Sequence, residues 1–380
     1  MRRDAWSGAR SSGGGTARRG PARAGRGPSA RRARRLIPSG VLVLASLSSI
    51  GIAGGRPGLL AEDTVVVAGA SGRGTRRMTG EIRDFTGREL ILVRASGREE
   101  RIPTEWVVGV ESVWVESQVL ARKLQAEGRI DEAIAMWRKA ADEEPRTWVR
   151  RGILAALVTC YRQSGRNELA GDLFAALLES DPDTHYFSVI PLAWSSEPPR
   201  GAIESKAAQW LDHPRDAMRL VGASHLLASP SSGAARDALV KLDAAADPRV
   251  ARLAAAQLWR TEVATSTLGG LERWAEGIER IEADLRAGPY FVLGSALARH
   301  AQVDKAALAL LRVPIHFPGE RVLAAESLWA AARLLDKESR TDEASILYGE
   351  LSADYPETAP AAPARTRLQE LERLKQGGEP

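Results

Sequence analysis

Apolar residues recur along this chain with two periods. Between about residues 64 and 113 they come in short runs that alternate with polar neighbours; from about residue 114 onward they return every third or fourth position. In the first region TVVVA, MTGEIRDF, ELILVRA, REERI and WVVGVESVWV are β-rich runs broken by Gly, Ser or Thr clusters. Ile82, Leu90, Leu92 and Ile102 sit among polar neighbours, as the buried positions of half-covered strands do. DFTGRE and ASGREE are predicted hairpin turns, each offering a glycine for positive φ.

In the second region small, bulky and proline residues keep a fixed frame. Gly128, Ala133, Trp137, Ala140 and Pro145 are followed at the same offsets by Gly165, Ala170, Phe174, Leu177 and Pro182, 37 residues on. The frame returns as Ala306, Leu310, Val313 and Pro318, then 38 residues later as Ala344, Tyr348, Leu351 and Pro356. The small residue lies four before the bulky one, so both share a helix face. Alanine lets the two helices of a hairpin approach, the bulky residue fills the groove towards the next unit, and proline stops the second helix. A period in the thirties predicts a solenoid of helix–turn–helix units.

This frame resembles the tetratricopeptide repeat (TPR) family, with units at about 114–147, 151–184, 287–320 and 325–358. Leu293 and Gly294 match the family's Leu-Gly pair in the third unit, and Tyr161 its tyrosine in the second. Ala121 and Val158 stand where the family favours glycine, and Ser339 stands at the turn glycine. Between the pairs, HPRDAMRLVGASHLL from His213 and DPRVARLAAAQLWR from Asp247 place Pro214 and Pro248 34 residues apart. That pattern is similar to a HEAT-like repeat, with degenerate TPR units as the alternative. The five strand runs are similar to a small SH3-like or Sm-like β-barrel, and to the short β-module ahead of TPR arrays in some exported bacterial proteins. The expected architecture is mainly α, a right-handed α-solenoid of TPR/HEAT-like hairpins preceded by that barrel. Its parts are a β domain at 62–115, a TPR pair at 116–190, HEAT-like or degenerate helices at 191–286, and a C-terminal TPR pair at 287–375.

Charge changes the picture only at the N-terminus. The chain carries a formal +5, but residues 1–61 hold 12 arginines and one acid, leaving the remainder at −6. The body is mildly acidic, and no basic stripe for nucleic acid is evident. Residues 1–35 read as a disordered Arg/Gly-rich leader. Arg31, Arg32, Arg34 and Arg35 precede an apolar run and LLA at 59–61, so 36–61 read as a signal sequence or membrane anchor. Export to the cell envelope is expected, with a cytoplasmic protein bearing a basic tail as the alternative.

Catalytic chemistry is not legible. GASGRGT from Gly69 has Thr75 where a phosphate-binding loop needs lysine, and reads as a turn. His185, His213, His225, His300 and His316 are dispersed; His185 and His213 read as turn residues and His225 as a satisfied helix histidine. No metal or cofactor is expected. The single cysteine, Cys160, reads as a small buried apolar residue. Asp131–Glu132 and Asp342–Glu343 suit helix N-termini. Most of the ten tryptophans fall on expected helices, as packing residues.

The TPR resemblance implies a concave groove that holds a peptide or a helix of another protein. Its inner positions are Gln118, Arg122 and Gln125 in the first unit, Thr159, Arg162 and Gln163 in the second, and Trp329 and Arg333 in the fourth. The arginines suit an acidic peptide, though the set does not match the family's carboxylate clamp. A non-enzymatic scaffold or adaptor for protein–protein contacts is therefore expected. The alternative is an accessory subunit of an envelope enzyme or secretion complex that binds peptide or glycan through the β-module.

Overall fold

The computed structural model describes residues 62–69, 74–199 and 201–377. The leader and signal readings for 1–35 and 36–61 lie outside them, as does most of the Gly69–Thr75 turn.

Five strands form one antiparallel sheet in the order β4-β3-β2-β1-β5: β1 (Asp63–Ala68), β2 (Thr75–Phe85), β3 (Glu89–Val93), β4 (Glu99–Pro103) and β5 (Val107–Glu111). Ile82, Leu90, Leu92 and Ile102 all point into the core. The long strand β2 joins two halves, its first part pairing with β1 and its last part with β3 across a register shift between Ile82 and Asp84. The expected closed barrel does not form. β4 and β5 lie at opposite edges: the 3-10 turn Thr104–Trp106 joins them end to end, and each pairs along one side only, β4 with β3 and β5 with β1. The open face is covered by helices instead.

The first four helices make two hairpins: α1 (Glu116–Ala126) with α2 (Ile130–Glu143), and α3 (Thr147–Gln163) with α4 (Asn167–Ser180). The middle holds α5 (Ala202–Leu211), α6 (Asp216–Leu226), α7 (Ser232–Leu242), α8 (Pro248–Glu262) and α9 (Leu268–Arg280). Two further hairpins follow, α10 (Ala287–Arg299) with α11 (Val303–His316) and α12 (Arg321–Lys337) with α13 (Thr341–Asp354), and α14 (Ala361–Gly377) packs on α13. The alanine and bulky positions of the frame are all no more than 3% exposed. Pro145, Pro182, Pro318 and Pro356 each stand two residues beyond the end of a hairpin's second helix, where proline ends helical hydrogen bonding.

The four hairpin turns repeat at the level of single dihedral angles. Gly128 and Gly165 occupy the left-handed region at φ 75° and 72°, and Ala301 and Ser339 occupy it at φ 53° and 60°. The next residue but one starts the second helix in every case. Side chains repeat too. Trp137 Nε1 donates to Gln125 Oε1 at 3.1 Å, and in the fourth unit Tyr348 Oη donates to Asp336 Oδ2 at 3.4 Å, again across twelve residues. The middle has its own echo: the backbone N–H of Arg215 donates to His213 Nδ1 at 3.1 Å, and that of Arg249 to Asp247 Oδ1 at 2.9 Å. The helices themselves start differently: α8 begins at Pro248 with Asp247 as its cap, whereas α6 begins at Asp216, two positions later in that frame.

The sheet and the first two hairpins share one apolar core. Two arginines fasten the joint. Arg146, before α3, reaches Glu144 at 2.7 Å, Ser112 Oγ at 2.7 Å and the Val113 carbonyl at 2.8 Å. Buried Arg151 donates to Asp84 Oδ1 at 2.6 Å, the Phe85 carbonyl at 3.2 Å and Ser180 Oγ at 2.8 Å. The DFTGRE turn presses on the end of α4. A Cβ on Gly87 would lie 1.6 Å from the Asp183 carbonyl oxygen, so this glycine serves close approach and not positive φ.

Candidate functional site

The eight positions expected in one groove do not come together. Gln118 and Arg122 of α1 enter a cavity of about 210 Å³ between the sheet and the first two hairpins. Trp114, Trp137, Trp148 and Tyr186 wall it, with Phe85 of β2 on the sheet side. The Arg122 guanidinium lies 4.7 Å from the centre of the Trp114 ring, a cation–π contact. Among the described residues no carboxylate lies within ion-pair distance of it, and burial draws its pKa below the usual arginine value. Gln118 is 2% exposed, yet its Oε1 has no hydrogen-bond partner, and neither does the indole N–H of buried Trp148. Burial pushes the Tyr186 hydroxyl up to about 12. Gln125 does not join them; its amide oxygen is held by Trp137.

Thr159, Arg162 and Gln163 line a second cavity, of about 430 Å³. Arg162 pairs with Glu320, and Gln163 Nε2 donates to the Gly319 carbonyl at 2.9 Å. The end of α3 thus meets the loop before α12, which lies more than 150 residues away in sequence. Thr159 Oγ1 donates back to the Ala155 carbonyl within its own helix.

The floor of this cavity is an irregular strap, residues 190–199, with sequence IPLAWSSEPP. Side chains of α6 and α8 grip its backbone at alternate residues. His225 Nε2 sits 3.0 Å from the Pro191 carbonyl oxygen, and Ser224 Oγ accepts from the Ala193 N–H at 3.1 Å. Gln257 and Arg260 donate to the Ala193 carbonyl at 3.0 and 2.9 Å. Arg260 also donates to the carbonyls of Ser224 at 2.8 Å and Ser195 at 2.5 Å. Burial lowers the pKa of Arg260 to about 10 and that of His225 to about 4, so at neutral pH the arginine is charged and the histidine is not. Across the cavity burial, helped by the Glu197 charge, raises Glu326 of α12 to about 7.

Trp329 and Arg333 enter neither cavity. The Arg333 guanidinium lies over the Trp329 ring at 5.6 Å, and Trp329 tilts against Tyr348 at 5.6 Å. His185 is no simple turn residue. Its ring stacks on Phe85 at 4.3 Å, its two nitrogens are buried without partners, and burial lowers its pKa to about 4. Cys160 is fully buried, and burial pushes its thiol up to about 12. Among the described residues no group of His, Cys, Asp or Glu is placed to hold a metal ion, and no helix is long and apolar enough to cross a membrane.

Sequence reasoning missed the wall residues Trp114, which it read as part of the last strand run, and Tyr186, which follows the second unit. It also missed Arg260, whose role depends on a strap with no periodicity.

A tetratricopeptide repeat family model matches residues 124–190, from the end of α1 to the start of the strap. A search of curated protein sequences finds no match. Among solved structures the assembly chaperone of RpL4 (Acl4), residues 1–338, is similar at 19% identity over 69% of this chain and 98% of that one. Its TM-score is 0.29, a superposition too loose to carry an argument.

Proposed function

We propose that the chain is a non-enzymatic scaffold that holds other proteins against its helical hairpins. The TPR match over 124–190 carries this reading, because stacked hairpins of this kind make extended binding surfaces. Arg122, an unpaired cation among aromatic rings two residues before the matched segment, fits a protein partner with a negative group. In this reading the hairpins wind as a right-handed TPR/HEAT-like array, with the SH3-like sheet bracing its N-terminal end. The arginine-rich leader and following apolar run would direct the chain to the cell envelope, with membrane association at that end.

Cross-linking capture of the full chain from its native host, with the cross-linked residues mapped by mass spectrometry, tests the scaffold. A specific protein joined to residues of 114–190 or 287–358 is the expected result. No enrichment over an unrelated bait would end the reading.

A second reading has the sheet as the binding element of an enzyme or secretion complex. Trp106, 52% exposed between β4 and β5, favours it. Cross-links confined to 99–113 would select it.

A further inference from the structure

The end of α3 and the start of α12 close the helical array on itself. α3 belongs to one apolar core and α12 to a second. Between them Arg162 pairs with Glu320, and Gln163 Nε2 donates to the Gly319 carbonyl at 2.9 Å. The cavity of about 430 Å³ lies along this seam: its lining residues up to Arg260 come from the first body, and those from Gly319 to Glu326 from the second. The bodies also pack where the chain passes from α8 into α9 and α10, with Trp259 stacked on Trp274 at 5.2 Å. That joint is apolar, whereas the one at residues 162–163 and 319–320 is polar.

The seam also holds a pair of like charges. Glu197 on the strap and Glu326 on α12 line the cavity from opposite bodies, and among the described residues neither has an ion-pair partner. The arginines around them are engaged elsewhere. Arg162 is held by Glu320, Arg321 by Glu357 at 2.6 Å, and Arg260 by the strap carbonyls. Glu168 at the start of α4 adds a third carboxylate to the lining, and His225 of α6 is neutral. Helices α10, α11 and α13, which pack on the rest of α12, put no titratable side chain into the cavity. Burial and then the Glu197 charge raise Glu326 to about 7. A closed seam therefore favours the neutral form of Glu326, and an open one, with water and distance from Glu197, favours the ion.

We propose that the contact of residues 162–163 with 319–320 is a clasp between the two bodies, closed while Glu326 is protonated and released when it ionises opposite Glu197. By linkage, whatever opening does to the proton affinity of Glu326, ionisation does to the opening equilibrium. Closure is favoured in acid and weakens as pH rises through about 7. The packing of α8 on α9 and α10 keeps the bodies together when the clasp parts. The device goes beyond the scaffold reading, because a chain that captures no partner would still open and close.

The test reads opening by thiol labelling of the full chain. Leu323→Cys puts a thiol on the second body at the cavity. The chain's one cysteine, Cys160, is fully buried in α3 and reports wider unfolding of the first body. Mass spectrometry follows both, and each rate is divided by that of an exposed reference, Val240→Cys, at the same pH, which removes the ordinary pH dependence of thiol reactivity. With Glu326 at 4.5 in the open form and about 7 in the closed one, labelling at 323 should rise about thirtyfold from pH 5.5 to 8.5. Glu326→Gln should abolish the rise. Arg162→Met should speed labelling at both pH values by at least about tenfold. Should that variant fail to fold, Glu320→Gln breaks the same pair from the other side. Labelling of Cys160 should stay slow throughout. A flat rate at 323, a rise that survives Glu326→Gln, or no effect of breaking the ion pair overturns the proposal. Labelling of Cys160 in step with 323 also overturns it, since the first body would then be unfolding.

Discussion

The indole of Trp194 lies against the α-carbon of Gly288, so closely that a Cβ there would sit 1.9 Å from the ring. Trp194 belongs to the strap and Gly288 to the first turn of α10, and the contact bridges two apolar cores. One core holds the sheet and α1–α8, the other α9–α14, and Trp194 and Trp259 pack against both. Gly288→Ala must push the indole out of this seam. Overpacking of this kind costs about 1–3 kcal/mol, so the variant should melt earlier and show altered tryptophan fluorescence. An unchanged melting temperature would mean the two cores do not depend on this contact.

Arg260 fixes the strap from the other side. Its guanidinium serves three backbone carbonyls, those of Ala193, Ser195 and Ser224. Arg260→Met keeps most of the volume but leaves those oxygens without donors, which should lower stability by about 3 kcal/mol or more. Limited proteolysis should then cut near residues 193–199 before any hairpin is cleaved. Cutting at the same rate as in the unaltered chain would show that Gln257 and Ser224 suffice.

Much of this architecture can be read from periodicity, because local spacing decides which face a residue presents. Ala133, Trp137 and Pro145 predict their own positions, as do Ala344, Tyr348 and Pro356. The alternation around Ile82, Leu90, Leu92 and Ile102 likewise marks the core face of the sheet. Periodicity cannot show which long-range contacts consume a polar side chain. Arg162 and Gln163 look like groove residues from their helix face, yet the loop at 319–320 engages both. Barrel closure was equally out of reach, since alternation reports burial and not which edges pair. The strap is illegible for a further reason: its hydrogen bonds run from backbone atoms, which every residue has, to side chains on α6 and α8.

Glu326 should make stability depend on pH in a direction unusual for a carboxylate. Burial, with the Glu197 charge second, raises its folded pKa from 4.5 to about 7. A folded state that holds its proton more tightly than the unfolded state is favoured where that proton is bound. The contribution is therefore complete below about pH 4.5 and is lost as pH rises through 7. Glu326→Gln removes the charge, so the variant should gain stability relative to the unaltered chain at about pH 8, and the gain should vanish near pH 4.5. Denaturant midpoints across that range check it. A gain that is the same at every pH would place the effect in packing and not in ionisation.

The buried histidines act in the opposite sense. Burial holds both His185 and His225 at about 4, below the ordinary 6.5. Their neutral forms belong to the folded state, so the stability they support is present above 6.5 and is lost as pH falls towards 4. His185→Phe keeps the stack on Phe85 and removes the titrating ring, and should make acid unfolding shallower between pH 6 and 4, as followed by circular dichroism at about four pH values. An unaltered acid limb would put the sensitivity in His225 alone.

The hairpin turns offer a prediction that tests the repeat itself. Gly128 and Gly165 take a left-handed conformation at no steric cost, whereas Ala301 and Ser339 hold almost the same φ with a Cβ in place. For an L-residue that conformation costs about 1–2 kcal/mol. Glycine relieves the strain but makes the unfolded chain more flexible, which returns part of the gain. Ala301→Gly and Ser339→Gly should therefore each stabilise the protein by about 0.5–1 kcal/mol, and the two effects should add, because the turns belong to different hairpins. Gly128→Ala and Gly165→Ala should destabilise by a similar amount, since the same backbone would then carry the strain. If the glycine substitutions at 301 and 339 destabilise instead, the C-terminal turns are held by contacts of their own, and the two pairs of hairpins do not share one turn design.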